Sequence, residues 1–267
     1  MAAPPDEARW WIRTGERTSP ALRLLCFPFA GGAASLYSSW ATQLGSDVEV
    51  LALQLPGREN RLREPALHAM PEAVAAIVRA LPEAIFAPDA VPFCFFGCSL
   101  GGLVAFETIR ALRRAGRPLP TRLFVAASSA PHRNHARQPP VYRRSDAEFR
   151  DELRKFQGTP EAVLNNAELM AVILPTLRAD FELLETYRCE PEPALPLPIA
   201  AYGGLGDGEV PPDAVAEWGE HTSGGFSLQF LPGDHFFIKS AQAQLLDLLK
   251  REMEAVVRRH DSTRSVP

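Results

Sequence analysis

The sequence predicts an α/β fold with a mostly parallel central sheet, helices on both of its faces and one helical insertion. Short, near-continuous apolar runs recur along the chain, as strands hidden on both faces require. They cover residues 22–27, 48–55, 93–96, 123–127, 199–202 and 226–231. Segments of helical periodicity alternate with them at 70–85, 103–114, 214–220 and 241–257, the signature of a doubly wound sheet. That rhythm breaks between residues 131 and 190, where a basic, Pro-containing loop leads into helical pieces at 149–156, 161–164 and 168–187.

The domain organisation follows from these elements. Residues 1–130 and 191–267 are expected to form one α/β core, and 131–190 an insertion above the strand C-terminal ends, where open α/β sheets bind ligands. Such an insertion can serve as a lid. The polar tail from Arg258 to Pro267 is expected to fray.

Composition narrows the function classes. The chain has 267 residues, 46% hydrophobic and 22% charged, enough for a sizeable core. Its net charge is -4, with basic residues scattered among the helices, which argues against nucleic acid as a partner. Cys26, Cys94, Cys98 and Cys189 show no C-x-x-C spacing, so neither zinc nor a disulfide framework is indicated. No basic start followed by an apolar run marks a signal peptide, and no uncharged stretch is long enough for a membrane span. Together these features predict a cytosolic protein and point to no metal or cofactor.

The chemistry starts at Gly97-Cys98-Ser99-Leu100-Gly101-Gly102, between the aromatic strand at 93–96 and the helix at 103–114. Small residues two before and two after a serine allow the tight turn of a nucleophile elbow, which exposes the hydroxyl above the sheet of an α/β-hydrolase fold. The competing reading is a glycine-rich turn with a capping serine. A serine hydroxyl needs an imidazole to take its proton and a carboxylate to orient the ring. In this fold the chain order is Ser, then Asp or Glu, then His. His235 fits best, because Gly233-Asp234-His235-Phe236-Phe237 follows the last strand. His68 precedes the nucleophile, His221 precedes the last strand, His260 is in the tail, and His132 and His135 open the insertion. Asp207 ends a strand and a glycine-rich turn and is the natural acid, with Glu209 and Asp213 as fallbacks. Asp234 is expected to point away from the ring.

Acyl transfer builds charge on the carbonyl oxygen, and backbone N–H groups aimed there stabilise it. Leu100, after the nucleophile, supplies one candidate. Ala30, with Phe29 second, supplies the other from the loop Phe27-Pro28-Phe29-Ala30-Gly31-Gly32, which also reads as an ordinary Gly-rich turn.

The combined motifs resemble those of type II thioesterases, the free-standing editing enzymes of polyketide and non-ribosomal peptide assembly lines. The resemblance spans nearly the whole chain. It includes the loop from Cys26 to Gly32 with the later Trp40, the Leu55-Pro56-Gly57-Arg58-Glu59-Asn60-Arg61-Leu62 stretch with Glu64, the elbow around Ser99, Phe156-Gln157-Gly158-Thr159-Pro160, Glu168-Leu169-Met170, Leu177-Arg178-Ala179-Asp180-Phe181 and the segment around His235. It implies hydrolysis of acyl thioesters on the phosphopantetheine arm of an acyl or peptidyl carrier protein, and a mobile lid that shapes the acyl chamber. One departure is Cys98, where the family usually has histidine.

Other readings stay open at this stage. Phe29, Cys98, Met170, Phe236 and Phe237 are candidates for contact with the acyl chain, or else for core packing. Arg58 and Arg61 either pair internally with glutamate or fix local structure and contact the carrier. The elbow also fits a small-molecule carboxylesterase or an acyltransferase. From another class, a catalytically silent carrier-binding partner remains. A monomer is expected.

Overall fold

The computed structural model describes residues 5–15, 17, 19–134 and 139–264. Seven strands form one sheet: β1 (Trp11–Arg13), β2 (Leu22–Phe27), β3 (Val48–Leu53), β4 (Phe93–Cys98), β5 (Arg122–Ala126), β6 (Ile199–Gly204) and β7 (Phe226–Leu231). Their order is β1-β3-β2-β4-β5-β6-β7, parallel throughout except for β1, which runs antiparallel to β3 with Trp11 opposite Leu53. The helices are α1 (Pro5–Trp10), α2 (Trp40–Leu44), α3 (Met70–Ala80), α4 (Leu100–Arg114), α5 (Asp146–Phe156), α6 (Glu161–Leu164), α7 (Ala167–Thr186), α8 (Pro212–Ala216), α9 (Phe237–Ser240) and α10 (Gln242–Arg264).

Successive residues of a strand point to opposite faces, and each face of the sheet has its own core. Leu25, Phe27, Leu51, Leu53, Phe93 and Phe95 face α3 and α4. Leu24, Cys26, Val50, Ala52, Cys94 and Phe96 face α2 and α10. This double burial explains why β2, β3 and β4 read as unbroken apolar runs. The insertion carries a third, smaller core built from Val141, Phe149, Leu153, Leu164, Met170, Leu174, Leu177 and Phe181.

Several elements depart from the sequence reading. β1 was not expected: its three residues are too few to show a period, and its pairing to the sheet edge is a tertiary effect. β4 continues to Cys98 and α4 begins at Leu100, so a single residue, Ser99, joins strand to helix. The tail does not fray at Arg258. Helix α10 runs on to Arg264, with Glu254 and Arg258 paired at 3.9 Å one turn apart and the Ser262 hydroxyl donating to the Arg258 carbonyl at 2.8 Å. Polarity alone does not end a helix whose side chains satisfy one another. Residues 265–267 lie outside the described residues.

Close approach at the β4–α4 turn depends on glycine. A Cβ at Gly97 would lie 2.3 Å from the Gly101 carbonyl oxygen, and one at Gly101 would lie 2.1 Å from the Phe27 carbonyl oxygen. Both obstacles are backbone of central elements, so neither can yield cheaply. Gly101→Ala is therefore expected to destabilise the fold by about 3 kcal/mol or more, the upper range for overpacking. Urea unfolding measures it, and a loss below about 1 kcal/mol would contradict the close packing.

Candidate active site

The turn at Ser99 holds a non-glycine residue at φ 52 and ψ -118. L-residues rarely occupy this region, and it persists only where the surroundings over-determine it. Here the Ser99 N–H donates to the Ala126 carbonyl at 2.8 Å, and the Gly102 N–H donates to the Ser99 carbonyl at 2.9 Å.

Two loops at the same end of the sheet bring the other side chains to this hydroxyl. After β7, His235 places Nε2 3.1 Å from Ser99 Oγ and Nδ1 3.0 Å from Asp207 Oδ2. After β6, Asp207 has its side chain buried, 1% exposed, and its Oδ1 accepts the N–H groups of Glu209 (2.8 Å) and Val210 (3.0 Å). Burial raises the Asp207 carboxyl, but the hydrogen bond and charge of His235 and these two N–H groups outweigh it, and the carboxyl is held below its usual value. The fallback acids lie elsewhere: Glu209 offers Asp207 its backbone N–H, and Asp213 pairs with Arg133 at 2.7 Å. Asp234 accepts the Phe236 N–H at 2.8 Å.

Ser99 and His235 open into a cavity of about 930 Å³. One wall comes from the core, with Phe29, Ala30, Leu36 and Phe236, and the other from the insertion, with Leu153, Phe156, Val163, Ile173, Leu177 and Phe181. Phe29 and Phe236 meet edge to face at 5.3 Å, and the Phe236 ring fills the space where a Cβ at Gly158 would be. Lys239 sits over both rings, 5.2 and 5.4 Å from their centroids.

Of the candidate substrate contacts, Phe29 and Phe236 line this cavity, whereas Cys98, Met170 and Phe237 do not. Cys98 and Phe237 point into the core beneath the sheet, and Met170 is buried inside the insertion. For Cys98 and Phe237 the chain neighbours Ser99 and Phe236 line the cavity instead. Burial, with the Asp207 carboxylate adding to it, pushes the Cys98 thiol up to about 12, so the group is a packed thiol. Native protein is expected to leave Cys98 unmodified by iodoacetamide at pH 8 in peptide mass mapping; rapid alkylation there would contradict its burial.

Phe156, Leu177 and Phe181 also line the cavity, beyond the candidates that the motifs single out. For the α7 residues a signal was present: Ile173, Leu177, Phe181 and Leu184 follow i, i+4, i+8 and i+11 spacing on one face of that helix. Arg61 pairs with Glu64 at 2.6 Å, as internal pairing required, but Arg58 pairs across the chain with Asp180 at 2.8 Å. At the insertion's start, His132 sits 2.8 Å from His221 and 2.9 Å from Glu217, and does not line the cavity. His132, Glu217 and Glu220 present ligand-type atoms within 4.8 Å of one another, but Glu217 is already bridged to Arg133 at 3.1 Å, and the cluster reads as an ion-pair network. His135 lies outside the described residues.

A mostly parallel sheet with a serine at a strained strand-to-helix turn, followed in chain order by aspartate and histidine, defines an α/β-hydrolase. The thioesterase domain model matches residues 22–253. The gramicidin S biosynthesis protein GrsT of Aneurinibacillus migulanus is 34% identical over 93% of this chain and 95% of its own length. Among solved structures, the thioesterase RedJ from the prodiginine pathway of Streptomyces coelicolor is 36% identical with a TM-score of 0.81, covering 94% of this chain and 90% of that one. The type II thioesterase BorB from the borrelidin cluster is 34% identical with a TM-score of 0.82, covering 94% and 98%. The chain belongs to the thioesterase family, and within it to the type II thioesterases. It is a thioester hydrolase.

Proposed function

We propose that this enzyme hydrolyses acyl thioesters carried on the phosphopantetheine arm of acyl or peptidyl carrier proteins, clearing stalled or aberrant acyl groups from polyketide or non-ribosomal peptide assembly lines. The observation that carries the reading is the hydrogen-bonded chain Ser99, His235 and Asp207 at the floor of a largely apolar, 930 Å³ cavity. GrsT of gramicidin S biosynthesis, RedJ of the prodiginine pathway and BorB of the borrelidin cluster support it.

His235 Nε2 takes the Ser99 proton as Oγ attacks the thioester carbonyl carbon. The N–H groups of Leu100 and Ala30 hold the resulting oxyanion, a service worth roughly 3 kcal/mol per donor. The Gly31 N–H is committed to Asp180 and the Gly32 N–H to the Phe29 carbonyl, which leaves Ala30, with Phe29 behind it, as the donor on this loop. The C–S bond then breaks, and His235 returns its proton to the departing thiol. Water, deprotonated by the same ring, attacks the acyl-serine, and collapse releases the carboxylic acid and restores Ser99. Asp207 keeps the ring in the tautomer that leaves Nε2 free to accept.

Residues 131–190 act as the lid: their apolar face forms one wall of the acyl chamber, so its opening would admit the acylated arm. The carrier domain, a monomeric state and a cytoplasmic location belong to the same reading. Among the described residues no helix is long and apolar enough to cross a membrane.

Acyl groups from acetyl to decanoyl, loaded on a phosphopantetheinylated carrier and, in parallel, on a simple thiol, test the proposal. Release from the carrier at least about tenfold faster, or about 1.4 kcal/mol, is expected. Equal rates would favour a small-molecule esterase, and no release would favour a silent binder.

A further inference from the structure

The oxyanion loop is held by the insertion, through a buried ion pair. Asp180, on α7, is 1% exposed, and Arg58, on the loop after β3, is 6% exposed. Arg58 meets the carboxylate with two parallel hydrogen bonds, Nη1 to Oδ2 and Nη2 to Oδ1, each 2.8 Å. Neither group serves only the other. Asp180 Oδ2 also accepts the Gly31 N–H at 2.6 Å, and Arg58 Nη1 also donates to the Gly32 carbonyl at 2.9 Å.

These contacts, with one more, fix four successive peptide planes of the loop, from Phe29–Ala30 to Gly32–Ala33. The Gly32 N–H holds the Phe29 carbonyl at 2.8 Å, and that carbonyl shares a rigid trans peptide plane with the Ala30 N–H. Asp180 fixes the next plane through Gly31, and Arg58 fixes the one that contains the Gly32 carbonyl. Gly31, at φ +77, is the pliable point of the loop, and its backbone packs under Leu177 of the same helix turn. Thr176 donates to the Gly57 carbonyl from that turn as well. One face of α7 thus grips both loops beside the nucleophile.

We propose that Arg58 and Asp180 are positioning residues that set the direction of the Ala30 N–H, so that the oxyanion hole is complete only while the Thr176-to-Asp180 turn of α7 is seated. The inference rests on the Ala30 assignment made under the proposed function. Bidentate pairing suits this task, since the guanidinium fork fixes orientation as well as charge. It also cancels the carboxylate charge, which would otherwise oppose the oxyanion at the same loop.

The test compares wild type with Asp180→Ala and with the double variant Arg58→Met, Asp180→Leu. The double variant replaces the ion pair by apolar side chains that fill similar space, a change that folds tolerate well. Each is assayed on p-nitrophenyl butyrate and on the butyryl thioester of N-acetylcysteamine, with Ser99→Ala as the control. Loss of directed donors lowers kcat by about 10- to 100-fold on both substrates while KM stays within about twofold, because the donor acts in the transition state. A folded double variant with kcat within twofold of wild type would overturn the proposal. Activity of Ser99→Ala at the wild-type rate would instead overturn the active-site reading itself, so the two failures are read from different variants.

Discussion

Replacing Ser99 by alanine is expected to lower kcat on acyl thioesters by roughly 10⁴- to 10⁶-fold, leaving only what binding and the oxyanion hole supply. The fold is expected to survive, since the Ser99 N–H and carbonyl make the turn's hydrogen bonds and alanine retains both. Glycine at the same position separates catalysis from backbone strain. The φ 52, ψ -118 conformation is open to glycine, and holding any other residue there costs roughly 1–3 kcal/mol. Part of that relief is offset by the extra freedom glycine gains in the unfolded chain, about 0.5–1 kcal/mol. Ser99→Gly is thus expected to be as inactive as Ser99→Ala yet to melt a few degrees higher, at about 2–4 °C per kcal/mol for a chain of this size. Calorimetry decides it: a glycine variant that melts no higher than the alanine variant would mean the turn stores no strain.

Asp207→Asn is expected to cost about 10⁴-fold in kcat with little change in KM, because an amide Nδ2 facing His235 Nδ1 selects the wrong ring tautomer. The same residue predicts a pH effect on stability. Its carboxyl sits below its unfolded value despite burial, so its contribution is fully present above about pH 4, the unfolded value. It is lost as pH falls through the still lower folded value. Urea unfolding at a series of pH values should therefore show wild type and Asp207→Asn separated at neutral pH and converging under acid. A gap that widens as pH drops would reverse the assigned shift.

Much of the site was legible because α/β-hydrolase chemistry is anchored to strand ends. Ser99, Asp207 and His235 each follow a recognisable apolar strand within a few residues, and strand order along the sheet converts that placement into proximity. The cavity beside Ser99 was less legible. Cys98, Met170 and Phe237 are apolar neighbours of functional segments, and which of two adjacent apolar residues faces a cavity depends on register; Phe236 faces it and Phe237 does not. Arg58 shows the same limit for charge. Glutamates nearby in sequence offered local partners, and the actual partner, Asp180, lies across the chain in the insertion. β1 escaped notice because an edge strand of three residues carries too little pattern to stand out from a loop.

In this mechanism every thioester passes its acyl group to Ser99 before water releases it. Acid quench of the enzyme during turnover of a butyryl-phosphopantetheinyl carrier, followed by proteolysis and peptide mass spectrometry, reads this directly. A butyryl mass is expected on the peptide that contains Ser99, absent from Ser99→Ala. Turnover with the adduct on another residue, or persisting in Ser99→Ala, would contradict it.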